Sequence, residues 1–260
     1  GCTSTIFECM EKAKRKIILS IAGFDTSGGA GTLADIKTFQ SIGIYGMAVV
    51  TALTLQSENK VQYIQWRKSK DILQDIEFLV QHYPISYFKI GIVKNLEMLN
   101  AILQIAEQQK IKVIWDPVLK TSTLKQVFQK NNLHSLINIL PKIYCITPNA
   151  IEALELSGKN DIIEAGKHLS TYTNVILKGG HLTENTGTDY LFLHQKNKVI
   201  AIPPQLKNKK IYPKHGSGCV FSSALTAYLA LGYSLKSSTQ KAKLFTEKFL
   251  SSSKALLGYY

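Results

Sequence analysis

Short apolar runs alternate with amphipathic stretches along almost the whole chain. Ile17–Ala22 is an apolar run closed by glycine, the pattern of a buried strand. A glycine-rich stretch, Gly23–Gly31, follows. Thr32–Ser41 then carries Leu33, Ile36, Lys37 and Gln40 at helical spacing and is ended by Gly43. Met47–Leu53 reads as a second strand. Asp71–His82 is an amphipathic helix with Ile72, Ile76, Leu79 and Val80 on one face. Beyond it the pattern predicts strands at Tyr87–Ile90, Val113–Trp115, Ile143–Ile146, Val175–Leu177 and Tyr190–Leu193. Helices are predicted at Leu96–Gln109, Lys125–Leu140, Ala150–Leu156, Ile162–Leu169, Ser217–Leu231 and Ser237–Leu256.

Strand–helix alternation at this spacing predicts an α/β fold: a central, mostly parallel sheet with right-handed crossovers and helices on both faces. In such sheets ligands bind beyond the carboxyl ends of the strands, so polar residues just after a strand become the first functional candidates. No repeat and no Pro/Gly/Ser-rich linker divides the chain. The expected organisation is an extension over residues 1–16, with Met10 as a possible natural start, and a single domain over 17–260.

Composition narrows the function classes. The hydrophobic fraction of 45% and charged fraction of 19% over 260 residues are those of an ordinary folded domain. Four scattered cysteines without a CxxC pair, and six histidines without HExxH, argue against a disulfide framework or a histidine–cysteine metal cluster, so a reducing cytoplasm is the expected compartment. No apolar stretch approaches the roughly 18 residues of a membrane span, so no membrane partner is expected. The net charge is +13, but all but two of the 31 basic residues are lysines, spread along the chain. Base and phosphate readers favour the arginine fork, so the excess reads as a solvated surface and nucleic acid is not expected as a partner. The basic field would still concentrate polyanionic substrates.

Three segments carry candidate chemistry. Ala22–Gly31 has glycines that permit close backbone approach, followed by a helix with free N–H groups. It lacks both the Walker Gly-Lys-Ser/Thr and the GxGxxG spacing, and taken alone it fits a ligand loop or a tight strand-to-helix turn equally. His215-Gly216-Ser217-Gly218-Cys219 opens a helix. Its small-residue turn suits a nest of amides around a phosphoryl group, with Cys219 where a helix dipole lowers a thiol pKa; the bland reading is a capped helix with an inert cysteine. The third is a set of strand-end residues: Asp116, Asn149 with Glu152, and Lys178 before Gly179-Gly180. Two carboxylates at neighbouring strand ends are suited to Mg²⁺ and a lysine to a nucleotide phosphate, whereas each alone reads as a cap or a surface charge.

Together these segments carry a resemblance. Ile21-Ala22-Gly23, Asp25 and Ser27-Gly28-Gly29-Ala30-Gly31 precede Ala34-Asp35-Ile36-Lys37-Thr38-Phe39. Tyr45-Gly46-Met47, Val50-Thr51-Ala52-Leu53 and Gln56 follow, then Lys89-Ile90-Gly91, Asp116-Pro117-Val118, Thr147-Pro148-Asn149 and Glu152-Ala153. Leu177-Lys178-Gly179-Gly180-His181 and His215–Cys219 complete the order. The set resembles the bacterial hydroxymethylpyrimidine/phosphomethylpyrimidine kinases of thiamine biosynthesis, in the ribokinase-like superfamily. The resemblance implies a three-layer sandwich, usually a homodimer, that uses ATP and Mg²⁺ to phosphorylate an aminopyrimidine alcohol and then its monophosphate. It implies Gly23, Asp35, Gln56 and Ile92 at the pyrimidine, and Asn149, Lys178 and Gly180 at the nucleotide. Asp116 and Glu152 would sit at the metal, and Gly216, Ser217, Gly218 and Cys219 would form the anion hole. An amide at Gln56 both donates and accepts, as a ring nitrogen beside an amine requires.

The chain departs from that family at Ile92, where methionine is usual, and a β-branched residue stiffens the pocket wall. It also departs at Ser217 in place of threonine, in Lys120–Thr123, in the proline-bearing run Ile202–Lys214, and in the tail Leu257-Gly258-Tyr259-Tyr260. Pyridoxal kinase is the close alternative activity, since its substrate is also a hydroxymethyl-bearing heterocycle. A non-catalytic nucleotide or nucleic-acid binder is the alternative from a different class.

Overall fold

Period-two alternation in β1 (Ile17–Asp25) sends Ile17, Leu19 and Ile21 to one face of the strand and Ile18 and Ser20 to the other, and both faces are buried. In this computed structural model, which describes residues 16–56, 61–118, 133–180, 187–206 and 209–260, that strand lies inside a nine-stranded sheet. The others are β2 (Tyr45–Gln56), β3 (Val61–Trp66), β4 (Ile85–Ile90), β5 (Lys112–Trp115), β6 (Cys145–Ile146), β7 (Asn174–Leu177), β8 (Asp189–Phe192) and β9 (Val199–Ile202). The order is β3-β2-β1-β4-β5-β6-β7-β8-β9. Strands β2 to β7 of that row are mutually parallel, β3 and β8 run antiparallel to them at the two flanks, and β9 pairs antiparallel with β8.

The helices are α1 (Gly31–Ile42), α2 (Ser69–His82), α3 (Leu96–Gln108), α4 (Leu133–Ile137), α5 (Ala150–Ser157), α6 (Ile162–Ser170), α7 (Ser217–Ala230) and α8 (Leu235–Ser251). One apolar cluster joins Leu19, Ile21, Phe88 and Trp115 to α2 through α6, and a second joins Ile18, Ile114 and Ile176 to Phe39 of α1 and to α7 and α8. The result is the expected three-layer α/β sandwich.

Several element expectations need correction. The edge strands β3 and β9 were not legible as strands. β3 pairs only with β2, and β9 is exposed enough on one side that neither forms an unbroken apolar run. Strand β2 runs on to Gln56. Of the helix expected over Lys125–Leu140, the described residues show α4 and a 3₁₀ turn at Leu140–Lys142, and residues 119–132, including Lys120–Thr123, lie outside the description. Helix α8 begins earlier than expected, capped by Ser234, whose Oγ accepts from Ser237 N. It also stops five residues short of Leu256. There Ser252 Oγ donates to Phe249 O (2.7 Å) and accepts from Tyr259 N (2.9 Å), side-chain bonds that compete with the helix ladder and turn the chain back on itself.

Candidate active site

The chain leaves β1 toward β2 on one side and β4 lies on the other, so strand order reverses between β1 and β4. The crevice beyond their carboxyl ends is where a ligand fits in a sheet of this kind. Helix α7 packs across β1, β4 and β5, which brings its first turn to that crevice.

That turn is built against the loop after β1. Gly216, the residue before α7, has φ +76°, and a Cβ on it would lie 1.8 Å from Gly29 O. Gly31 has φ +61°, and its Cβ would lie 2.1 Å from Gly23 O. No other residue type fits either place. Asp25 ties the two loops together. Its buried carboxylate accepts from Ser27 N (2.8 Å), Ser27 Oγ (2.9 Å), Ala30 N (2.8 Å) and His215 Nε2 (2.8 Å). Burial pushes the Asp25 carboxyl up, but the bonds from His215 and Ser27 outweigh it and hold the group below its ordinary value.

Beneath the turn stand the strand-end residues. Lys178 Nζ is 2.8 Å from Asp116 Oδ1, and a Cβ on Gly218 would lie 3.2 Å from that Nζ and 3.5 Å from Asp116 Oδ2. Thr147 Oγ1 also donates to Asp116 Oδ1 (3.1 Å), and Ser222 Oγ lies 3.5 Å from Oδ2. Burial would raise the Asp116 pKa, yet Lys178 and Lys89 outweigh it and the carboxylate is held below its usual range. Asn149 and Glu152 form a reciprocal capping box on α5, with Glu152 N donating to Asn149 Oδ1 and Asn149 N to Glu152 Oε2. Burial pushes the Glu152 carboxyl up to about 7, with Lys178 opposing and Asp116 adding to the rise. Gly180 is open to added bulk, and the neighbouring Gly179 N donates to Asp189 Oδ1 (2.8 Å). The structure thus gathers Asp116, Lys178, Gly216, Ser217, Gly218 and Cys219 at one place, with Glu152 in their electrostatic field.

Asp35 behaves otherwise. It is fully buried, and both its oxygens are taken: Oδ1 by Lys89 Nζ (2.8 Å) and Ser223 Oγ (2.7 Å), Oδ2 by Ser20 Oγ (2.6 Å) and Lys89 Nζ (3.0 Å). Contrary to the sequence expectation, its side chain has no oxygen to offer a pyrimidine; it joins β1, β4, α1 and α7 under the site. Gly23 and Ile92 do meet, since a Cβ on Gly23 would touch Ile92 Cγ2 at 2.9 Å. The Gln56 side chain lies outside the described residues. Cys219 bears on a choice that the sequence left open. Burial raises its pKa, and the opposing pull of Lys89 and of the Gly31 N–H does not bring it back to the ordinary thiol value. The helix N-terminus alone does not make a thiolate here.

A sequence profile of the phosphomethylpyrimidine kinases matches residues 25–259. This chain belongs to the phosphomethylpyrimidine kinase family. A hydroxymethylpyrimidine/phosphomethylpyrimidine kinase of Aquifex aeolicus is 33% identical over 249 residues, covering 92% of this chain and 96% of the relative. Among solved structures, a phosphomethylpyrimidine kinase from Clostridium difficile 630 matches with TM-score 0.74 and 32% identity, covering 89% of this chain and 98% of that one. A Staphylococcus aureus pyridoxal kinase in complex with ADP matches with TM-score 0.80 and 28% identity, covering 92% and 89%. Membership makes this protein a phosphotransferase, and its ribokinase-like fold agrees with the resemblance drawn from the motifs.

Two members of the assembly had no assigned role in the sequence. Lys89 interrupts the apolar run of β4 on the same strand face as Tyr87, and a charge at a position whose period predicts burial is a signal that could have found it. The His215–Asp25 bond joins residues 190 positions apart, and nothing local in the sequence announces it.

Proposed function

We propose that this protein transfers the γ-phosphoryl group of ATP to the hydroxymethyl oxygen of 4-amino-5-hydroxymethyl-2-methylpyrimidine. It then transfers a second group to the monophosphate, giving the pyrophosphate used in thiamine biosynthesis. The observation that carries this reading is the nest of amides from Gly216 to Cys219 standing over the Lys178–Asp116 pair, in a member of this family. In each transfer the acceptor oxygen forms a bond to the γ-phosphorus as the bond to the β,γ-bridging oxygen breaks, and ADP leaves. The free N–H groups at the start of α7 and the Lys178 ammonium stabilise the charge on the transferring oxygens. Lys178 suits that task because, although burial disfavours its charge, Asp116 and Glu152 outweigh burial and keep it protonated. Asn149 and Gly180 border the nucleotide, and Gly23, Gln56 and Ile92 the pyrimidine. With its pKa raised, Cys219 serves as a polar wall beside the acceptor, since a loose transition state requires little early deprotonation.

Asp116 and Glu152 fit Mg²⁺. Asp116 Oδ1 is taken by Lys178 and Thr147 and Glu152 Oε2 by Asn149 N, while Asp116 Oδ2, with only the 3.5 Å contact from Ser222 Oγ, and Glu152 Oε1 are the oxygens that would face a cation that also takes phosphate oxygens. The ion would neutralise charge on the phosphates. Among the described residues no group of three or more His, Cys, Asp or Glu lies together.

An exposed apolar strip on the β2–β3 hairpin, Leu53, Leu55 and Tyr63, with Leu55 opposite Tyr63, supports a homodimer through this edge. The free thiols of Cys145 and Cys219 support a reducing, cytoplasmic setting, and no helix among the described residues is long and apolar enough to cross a membrane. The likeness to pyridoxal kinase favours pyridoxal as a second acceptor. ATP consumption measured with the aminopyrimidine alcohol, its monophosphate and pyridoxal decides the matter. A clear preference for pyridoxal, or no turnover of either pyrimidine, overturns the first reading.

A further inference from the structure

The Lys178-Gly179-Gly180 turn after β7 is gripped from two sides. Lys178 N donates to Pro148 O (2.9 Å), Gly187 N donates to Gly179 O (3.1 Å), and a Cβ on Gly179 would lie 1.7 Å from Thr188 O. Gly179 N donates to Oδ1 of Asp189, the first residue of β8 (2.8 Å). The other oxygen of that carboxylate lies 3.1 Å from Lys243 Nζ of α8, and the same Nζ is 3.6 Å from Glu247 Oε1. Glu247 Oε2 in turn accepts from Gln205 N (2.8 Å) and Leu206 N (2.6 Å). Lys243 and Glu247 stand four residues apart on a helix, a pairing that commonly lies on a solvated face. Here both are buried, and so is Asp189. Buried ions of this kind often add no more stability than an apolar set of the same volume. What the two carboxylates hold is backbone: one the amide of Gly179, the other two amides in the run that precedes His215. A charged acceptor binds an amide more firmly than a neutral one does. A Cβ on Gly180, by contrast, meets nothing within 4 Å, so the turn is anchored at Gly179 and open at the next residue.

We propose that Asp189, backed by Lys243, is a positioning residue for nucleotide binding: through the Gly179 amide it sets the turn that presents the Lys178 ammonium and the open side of Gly180 to the triphosphate. The statement rests on the phosphotransfer reading above, in which Lys178 and Gly180 border the nucleotide. Asp189 acts only through that backbone, since Gly179 N and Lys243 take its two oxygens. The residues assigned to the acceptor lie elsewhere in the sheet. Gly23 is on β1 and Ile92 follows β4, and β8 is five and four strands away from these in the row. Loosening the turn at Gly179 therefore weakens the grip on ATP and leaves the acceptor pocket as it was, because small displacements of a positioned group are costly only to what it positions.

Two double variants separate the hydrogen bond from the ion pair. Asp189→Asn/Lys243→Met removes both charges and keeps a carbonyl oxygen for the Gly179 amide, whereas Asp189→Leu/Lys243→Met removes both charges and the acceptor. Isothermal titration with ATP, with circular dichroism melts to confirm folding, should find the first within about threefold of the parent and the second about tenfold weaker. In steady-state assays of the leucine variant the KM for the aminopyrimidine alcohol should stay within about threefold of the parent. An ATP Kd within about twofold of the parent in the folded leucine variant, or an equal weakening in both double variants, overturns the proposal. So does an acceptor KM raised as much as the ATP Kd, which marks a general loosening of the fold. If the leucine variant does not fold, Asp189→Ala, in which Lys243 keeps Glu247, is judged against Asp189→Asn by the same titration and the same outcomes. A parent that binds ATP but phosphorylates no pyrimidine sinks the reading of the acceptor, and the titration still judges Asp189. A parent that does not bind ATP sinks both.

Discussion

Removing the Asp35 carboxylate separates two roles for that residue. In the structure its two oxygens take four contacts of 2.6 to 3.0 Å from Ser20, Lys89 and Ser223, all fully buried. Asp35→Ala leaves the Lys89 ammonium without its partner in a place water does not reach. Burial disfavours that ammonium, and Asp35 leads the opposing charges that keep it protonated. Breaking a buried pair from one side costs about 3–5 kcal/mol, because the remaining charge is uncompensated. For a domain of this size each kcal/mol lowers Tm by about 2–4 °C, so the variant should melt roughly 6–20 °C below the parent. Thermal unfolding followed by circular dichroism measures this directly. The double variant Asp35→Leu/Lys89→Met should regain most of the loss, since an apolar pair of similar volume is often as stable as the ions it replaces. A single variant melting within about 2 °C of the parent but showing a raised acceptor KM would refute the reasoning and return Asp35 to the substrate.

Other outcomes follow from the same geometry. Gly216→Ala should lower kcat by about 10²-fold in steady-state assays, because a Cβ there collides with Gly29 O and displaces the amide nest. Cys219→Ala should cost less than about tenfold in kcat; a loss of 10²-fold would make the thiol a proton acceptor after all. Glu152 has a folded pKa of about 7, above its unfolded value, so the stability gained by protonating it is present at low pH and lost as pH rises toward 7. Glu152→Gln, which keeps the capping box, should therefore melt above the parent at pH 8 and close to it at pH 5, and a larger gap at pH 5 would contradict that sign. Leu55→Lys with Tyr63→Lys should give monomers in sedimentation velocity if the β2–β3 edge joins two copies, and an unchanged species would remove that edge from the dimer.

What was legible in the sequence follows the range of each interaction. Strands β4 and β5 and helices α1, α3, α5 and α7 are buried by their own period, and their boundaries fall within two residues of the pattern, while β1 starts where expected and runs three residues past Ala22. The capping box at Asn149 and Glu152 spans three residues and announced itself as a helix start. The glycines at 31 and 216 were visible as a type but not as a requirement, because the atoms that exclude a Cβ belong to Gly23 and Gly29, on other segments. Asp35 shows the limit most clearly. A carboxylate in a recognised motif next to a ligand loop reads as a ligand contact, and only the parity that points Ser20, Lys89 and Asp35 into one layer shows that its partners are internal.

That internal layer bears on how a strongly basic chain builds an anion site without unspecific charge. Two cations beneath the amide nest are each paired with a carboxylate, Lys178 with Asp116 and Lys89 with Asp35. A phosphate arriving above them therefore meets a field set by two fixed pairs and a row of N–H dipoles. Salt screens solvent-exposed charges far more than buried ones. The affinity for ATP should then fall only modestly between low and high ionic strength, in contrast to the steep fall of a protein that holds polyanions by surface lysines. Isothermal titration with ATP across a series of salt concentrations reads this. A slope as steep as that of a nucleic-acid binder would mean that the surface charge, and not the paired interior, holds the triphosphate.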